Sequence, residues 1–197
     1  KDKGINLETT TTASTYYIGF NMLDSTVGGN SKKSILLRQA ISIAVDYEEY
    51  ISIFANGRGV VAHSPIPPGI FGYQDSKEYY NEAVFNYEKK NIIKKNIEEA
   101  KKLLSKAGYS NGINQETGKP LVLYFEATGA GADTYAFLNW LRKQFKKINI
   151  QLVTRVTDYN RFQEKMINGT GQIFQWGWNA DYPDPENFLF LLYSKNG

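Results

Sequence analysis

The sequence predicts an α/β fold in which helices pack on a mixed, largely parallel sheet. The main observation is that helical and extended patterns alternate from residue 96 onward, in the order α-β-α-β-α-β-α. Such alternation is typical of strands that lie parallel in one sheet and are joined by crossover helices. The second observation is composition: 42% hydrophobic and 14% aromatic residues in 197 supply the core of one domain, or of one lobe of a larger protein.

The first part of the chain predicts one strand and two helices. Residues 1–14 are polar and threonine-rich and are expected to form a loose lead-in, whereas the β-branched and aromatic run 15–22 predicts a strand. Asp46 followed by Glu49 predicts the cap of the second helix, which Asn56-Gly57 ends. The first helix is predicted from apolar residues at helical spacing, namely Leu37, Ala40, Ile41, Ala44 and Val45.

The middle of the chain predicts a long loop and then a lysine-rich helix. Residues 58–88 include the proline-dense segment 64–69, which is incompatible with a regular element. Seven lysines between Lys89 and Lys106 are interpreted as a solvated helix face, in which Glu98 and Lys102 form an i,i+4 pair.

The alternating second half has a start or stop signal at most of its elements. Asn96 is expected to cap a helix that Gly108 ends. Strands are predicted at 121–126, 148–156 and 171–176, and helices at 133–147, 158–167 and 186–193.

Several functional classes receive no support from the composition. A net charge of +3 is too small to indicate a nucleic-acid partner. The sequence has no cysteine and one histidine, so neither a metal site nor a cofactor is predicted. No apolar run is long enough for direct membrane insertion. The N-terminal residues lack a signal peptide and the last residues show no natural stop, which indicates a fragment of a longer protein.

The candidate site is the segment 176–185 (WGWNADYPDP), which follows the last predicted strand. Ligands in α/β folds are commonly held where strands end, and prolines at 183 and 185 stiffen the turn behind Asp181. Three interpretations are open: a structural turn with core tryptophans, a cation-binding corner formed by Asp181 and an indole, and a catalytic pair of Asp181 with Asp184. No neighbouring residue in the sequence completes a catalytic site around Asp181 and Asp184, so no catalytic residue is predicted.

Other motifs are weak. Gly129-Ala130-Gly131 lies between a strand and a helix, but the third glycine of a dinucleotide fingerprint is replaced by Thr134. It is interpreted as a tight turn. His63 lies in the proline-rich loop, next to Ser64, and adjacent residues do not form a nucleophile–base pair.

Taken in order, several segments resemble the family-5 extracellular solute-binding proteins, the large substrate-binding proteins of bacterial ABC importers for dipeptides and oligopeptides. The resemblance covers about residues 15–193 and departs from the family pattern at Asn149, where a glycine is usual. The matching segments are 38–46 (RQAISIAVD), 56–57 (NG) with 65–69 (PIPPG), 100–109 (AKKLLSKAGY), 121–123 (LVL) with 141–150, and 177–185 (GWNADYPDP).

The resemblance implies one incomplete lobe of a periplasmic-binding-protein-like clamshell, with residues 15–197 as most of the C-terminal lobe. It implies a peptide ligand, ABC permease subunits as partners, and a location in the periplasm or outside the cell membrane. Asp181 would pair with the ligand's α-ammonium group, groups around Gly177 and Asn179 would bond to the peptide main chain, and Trp178 would line the pocket. Asp184 would be structural.

Two alternatives remain open at this stage. Members of the family also bind nickel chelates, haem and sugars, so the fold alone does not fix the ligand. The same lobe can also serve as a sensory or interaction module, which an upstream DNA-binding or signalling domain would favour.

Overall fold

The computed structural model describes residues 4, 10–74, 80–88 and 91–196. Along this part of the chain the elements are β1 (Ser14–Phe20), α1 (Lys32–Ala44), α2 (Tyr47–Phe54), β2 (Phe85–Glu88), β3 (Asn91–Lys94), α3 (Ile97–Lys106), β4 (Val122–Thr128), α4 (Ala132–Lys146), β5 (Gln151–Thr157), α5 (Tyr159–Ile167), β6 (Ile173–Asn179) and α6 (Glu186–Leu189). Short 3-10 turns follow α3 and α6, at Ser110–Gly112 and Phe190–Leu192.

The principal sheet has four strands in the order β1-β6-β4-β5. β4 pairs parallel with both β5 and β6, while β1 joins the edge antiparallel to β6. The predicted α/β class with a largely parallel sheet is therefore confirmed. The parallel strands come from the alternating second half of the chain, and the antiparallel strand comes from the predicted strand near its beginning.

The hydrophobic core lies between the sheet and the helices on one face. Phe125 of β4 is fully buried, and its ring lies 6.1 Å from that of Phe137 on α4. Ile173 of β6 faces the same core. Burying each such large side chain stabilises the fold by about 1.5–3 kcal/mol. Fully buried residues contributed by the helices include Leu37, Ile41, Leu104, Leu138, Leu141 and Phe145.

Helix α5 covers the opposite face of the sheet. Glu126 follows Phe125 on β4, so its side chain points the other way, where Lys165 of α5 contacts it. Phe162 of α5 packs against Trp176 of β6 with a ring separation of 5.3 Å. Helices thus flank the sheet on both sides, as the alternating pattern predicts.

The helix caps follow the sequence signals. Asp46 and Asp158 accept hydrogen bonds from backbone amides in the first turns of α2 and α5. Asn96 forms a full capping box with Glu99 at the start of α3. Asn149 has a φ of 60°, in the left-handed region that asparagine tolerates better than most residues. That conformation accounts for a glycine at the corresponding position of the family pattern.

Two predictions for the middle of the chain are wrong. The loop predicted over 58–88 contains β2, which pairs with β3 in a separate two-stranded sheet. The lysine-rich run is not one helix face, because Lys94 lies in β3 and donates a hydrogen bond to the carbonyl of Val45 (2.6 Å). Four-residue strands give too short an alternation to be recognised from sequence. Lys89 and Lys90 lie outside the described residues.

Smaller differences concern element ends and one ion pair. Glu98 pairs with Lys101 at 2.8 Å, one residue before the predicted partner Lys102. The predicted strand 148–156 begins only at Gln151. The predicted lead-in 1–14 falls mostly outside the described residues, and Ser14 already belongs to β1. Among the residues that the structure describes, none of the helices combines the length and the apolar run that a bilayer span requires.

Candidate functional site

Within the described residues, the second half of β6 is paired along one edge only and leaves the other edge open. It pairs with β1 along its whole length, but with β4 only at Ile173 and Phe174. Hydrogen bonds from Ala180 to Ala13 and from Asn21 to Gln172, both 2.9 Å, show that the even-numbered residues of this strand point their backbone groups toward β1. The backbone direction alternates along an antiparallel ladder. The N–H and C=O groups of the odd-numbered residues, Gly177 and Asn179 among them, therefore point to the open edge.

Asp181 lies on the turn that follows this edge. Its side chain is exposed, and within the described part of the chain no lysine or arginine forms an ion pair with it. A carboxylate that carries its charge into solvent beside open backbone groups is suited to bind a cation. A carboxylate that is buried in the lobe and paired with a basic side chain could not take this role. Within the described residues, Asp181 is neither buried nor paired in that way.

Asn187 organises the corner, and the sequence analysis missed it. This residue of α6 is 3% exposed. Its side-chain oxygen accepts hydrogen bonds from the indole N–H of Trp178 (2.8 Å) and from the backbone N–H of Asp181 (3.1 Å). Its amide group donates to Oδ2 of Asp181 over 3.5 Å. One buried side chain thus joins the end of β6, the indole and the exposed carboxylate.

The neighbouring predicted residues are placed by packing. The Trp178 ring lies edge-on to Phe190, with a centroid distance of 5.4 Å. Because its N–H is already donated to Asn187, the indole can offer a ligand only its ring surface. Gly177 lies opposite Tyr16 of β1, and a Cβ at position 177 would collide with the tyrosine ring. A side chain at position 177 would therefore force the exposed Tyr16 ring to move.

The residues of the weaker motifs have structural contacts. Oδ1 of Asp184 accepts a hydrogen bond from the backbone N–H of Glu186 (2.8 Å) at the start of α6. Asp184 thus holds the turn that leads into α6, a structural role as the resemblance implies, and this hydrogen bond runs to Glu186 and not to Asp181. The His63 ring packs against Phe85 at 4.7 Å. Gly129, with a φ of 101°, forms the turn between β4 and α4.

A cavity of about 470 Å³ adjoins the open edge where β4 and β6 separate. The last residues of β4 (125–128) form one side, and Gln175 of β6 lines it two residues before Gly177. Aromatic side chains of α2 and α4 close the back. Gln175 thus places the cavity beside the start of the open edge, and Asp181 lies beyond the other end of that edge.

The whole chain, residues 1–197, matches the family described as bacterial extracellular solute-binding proteins, family 5 middle region. The chain belongs to this family. Family 5 consists of substrate-binding proteins, and its members are extracellular. Within the described residues, no group of three or more histidine, aspartate or glutamate side chains comes together to hold a metal ion.

Two curated relatives are similar to most of this family 5 chain. The chain is 25% identical over 195 residues to the dipeptide-binding protein of Escherichia coli K12, covering 98% of the chain and 32% of that protein. It is 29% identical over 164 residues to heme-binding protein A of Haemophilus influenzae, covering 83% of the chain and 27% of the relative. The chain thus spans about a third of the length of these relatives.

Solved structures share the fold of this family 5 chain. The periplasmic binding protein DppA of Helicobacter pylori, in complex with the peptide STSA, superimposes with a TM-score of 0.71 at 22% identity. The superposition covers 91% of this chain and 30% of DppA. The predicted lobe of a periplasmic binding protein is therefore confirmed at the level of fold.

Proposed function

We propose that this chain is most of the C-terminal lobe (residues 15–197) of an ABC importer's solute-binding protein and binds di- and oligopeptides for uptake. The observation that carries the proposal is the unpaired edge of β6, which ends at the exposed Asp181 carboxylate. An extended peptide has the matching features, a line of backbone donors and acceptors that begins at a positively charged amine.

The peptide would bind by strand addition. Backbone groups of Gly177 and Asn179 hydrogen-bond to its main chain without reading side chains, as in other complexes where an extended segment pairs with an open sheet edge. Asp181 pairs with the α-ammonium group and fixes the register. Trp178, which Asn187 and Phe190 hold in place, offers its ring surface to the bound peptide.

Transport then requires parts beyond this chain. A second lobe closes over the peptide and removes it from water, as in clamshell binding proteins, and permease subunits receive the closed form. The protein works in the periplasm or on the exterior of the cell envelope. The proposal includes no catalytic step, because the second carboxylate of the motif, Asp184, holds the turn before α6.

The role of Asp181 is tested with the full-length protein and a peptide carrying either a free or an acetylated amino terminus. A desolvated charge-assisted hydrogen bond contributes about 1.5–3 kcal/mol, which corresponds to roughly 10- to 150-fold in affinity. Asp181→Asn is expected to weaken binding of the free peptide by that factor and to leave the acetylated peptide unchanged. Calorimetric titration measures both.

Asp184→Asn is the matched control, because asparagine keeps the oxygen that accepts the Glu186 N–H while removing the same charge three residues further along the chain. It should bind the free peptide as the wild type does. Equal affinity of the wild type for free and acetylated peptides would show that Asp181 does not hold the amine.

Haem binding is the second candidate, because the Haemophilus influenzae relative is a heme-binding protein. A haem ligand would need an anchor other than Asp181. The one histidine of the sequence, His63, packs against Phe85. A haem titration followed by absorbance separates the two candidates: a saturable Soret shift that peptide does not compete for would favour haem. A nickel chelate or sugar ligand, or a sensory use of the same lobe, has no specific observation in its favour.

A further inference from the structure

The cavity beside the open edge lies where a side chain of an added strand would enter. β4 and β6 are paired only at Phe125–Ile173 and Glu126–Phe174, and then diverge. The cavity occupies the gap, lined by the end of β4 and by Gln175. Successive side chains of a strand point to opposite faces of a sheet, so a peptide paired with β6 directs every second side chain toward the face on which the cavity lies.

The back wall of the cavity is aromatic. Tyr50 and Phe54 of α2 and Phe137 of α4 all line it. The Tyr50 ring lies 5.3 Å from that of Phe54 and 5.8 Å from that of Phe137, and the two phenylalanine rings are 6.1 Å apart. Such a wall packs against an aliphatic stem, and its ring faces attract a cation.

The charge of the cavity is negative. Its lining residues in the described part of the chain include two acidic ones, Asp133 and Glu126, and no lysine or arginine. The Glu126 carboxylate is turned to the other side of the sheet, toward Lys165 and Arg155. The Asp133 side chain is exposed, and in the described part of the chain it forms no ion pair. Asp133 therefore adds to the lining of an aromatic pocket one negative charge that no described basic side chain pairs with.

We propose that this cavity selects peptides with a lysine or arginine side chain at the position that lies over it. The stem packs on Tyr50, Phe54 and Phe137, and the cationic head lies at Asp133. The inference rests on the proposed peptide-binding function and adds a side-chain preference to it. Both chains advance about 3.3 Å per residue when paired. With the amine at Asp181, the selected position falls at about the third to the fifth residue of the ligand.

Asp133 also has a simpler role, since a carboxylate in the first turn of α4 favours the helix dipole. That role predicts a small change in stability and no dependence of binding on the ligand's side chains. Asparagine at position 133 is close in size and exposed, so the substituted protein is expected to fold. The two roles are thus separable by binding measurements alone.

The test is a calorimetric lysine scan on the full-length protein. Pentaalanine with a free amino terminus is compared with five versions carrying one lysine and five carrying one norleucine, which has the stem without the charge. Lysine is expected to bind about 3- to 30-fold tighter than norleucine at one position, or at two positions separated by one residue. In Asp133→Asn most of this advantage is lost, while the affinity for pentaalanine is unchanged.

Asp158→Asn is the control, because it removes the carboxylate that caps the neighbouring helix α5 and asparagine preserves the cap. It should keep the full lysine advantage. Equal affinities for lysine and norleucine at every position overturn the inference, and so does a lysine advantage that is undiminished in Asp133→Asn. In either case, binding of pentaalanine leaves the peptide-binding function standing. Failure of pentaalanine and all ten substituted peptides to bind overturns both.

Discussion

Replacing Asn187 by alanine is expected to lower the free energy of unfolding of this lobe by about 2–4 kcal/mol and to weaken peptide binding more than tenfold. Asn187 is 3% exposed and accepts two hydrogen bonds, from the Trp178 indole and from the Asp181 backbone. Alanine leaves both donors without a partner at the end of β6. A donor left unsatisfied in a shielded site costs about 1–3 kcal/mol. The Asp181 carboxylate also loses the side chain that orients it.

Urea unfolding of the full-length protein measures the first effect, and hydrogen exchange of the β6 amides assigns it to this lobe. Leu189→Ala, on the same short helix but 44% exposed, should change stability by less than about 1 kcal/mol. Trp178→Phe removes only the indole donor and keeps a ring against Phe190. Its loss of stability should therefore lie between those of Asn187→Ala and Leu189→Ala. An Asn187→Ala protein as stable as Leu189→Ala would show that the corner is held by other contacts.

Much of the fold could be predicted because its signals are local. Asn96 and Asp158 predict helix starts because their side chains can cap a helix, and both caps are present. The alternation from residue 96 fixes the parallel part of the sheet, since crossover connections leave few topologies. The hairpin of β2 and β3 was missed because its four-residue strands lie beside proline-rich and lysine-rich segments that dominate the local pattern.

The candidate site could be predicted only in part. Asp181 stands out in sequence because prolines at 183 and 185 fix its turn, and the family resemblance points to the same residue. The open edge of β6 depends on how far β4 stays paired with it, which is a property of the assembled sheet. In sequence Asn187 is a polar residue next to the apolar run 188–192, and only its burial and hydrogen bonds show that it holds both Trp178 and Asp181. The cavity joins α2, α4 and β6, which are distant in sequence.

Replacing Lys165 by methionine is expected to destabilise the lobe by about 2–3 kcal/mol, the other large effect. Glu126 is 1% exposed, and its carboxylate contacts Lys165 at 2.5 Å and Arg155 at 3.4 Å. Removing one partner of a buried pair leaves a poorly compensated charge, which costs about 3–5 kcal/mol when burial is complete. The Lys165 side chain is 29% exposed and Arg155 remains, so the loss is expected at or below the lower end of that range.

Two further variants distinguish a costly unpaired charge from lost packing. Arg155→Met should cost less than Lys165→Met, because the arginine side chain is 48% exposed and makes the longer contact. Glu126→Leu combined with Lys165→Met should recover most of the stability, because an apolar pair of similar volume avoids the desolvation cost of the ion pair. Urea midpoints of the three proteins measure this order. If the double variant is no more stable than Lys165→Met, then α5 is held to β4 by the shape of these side chains and not by the balance of their charges.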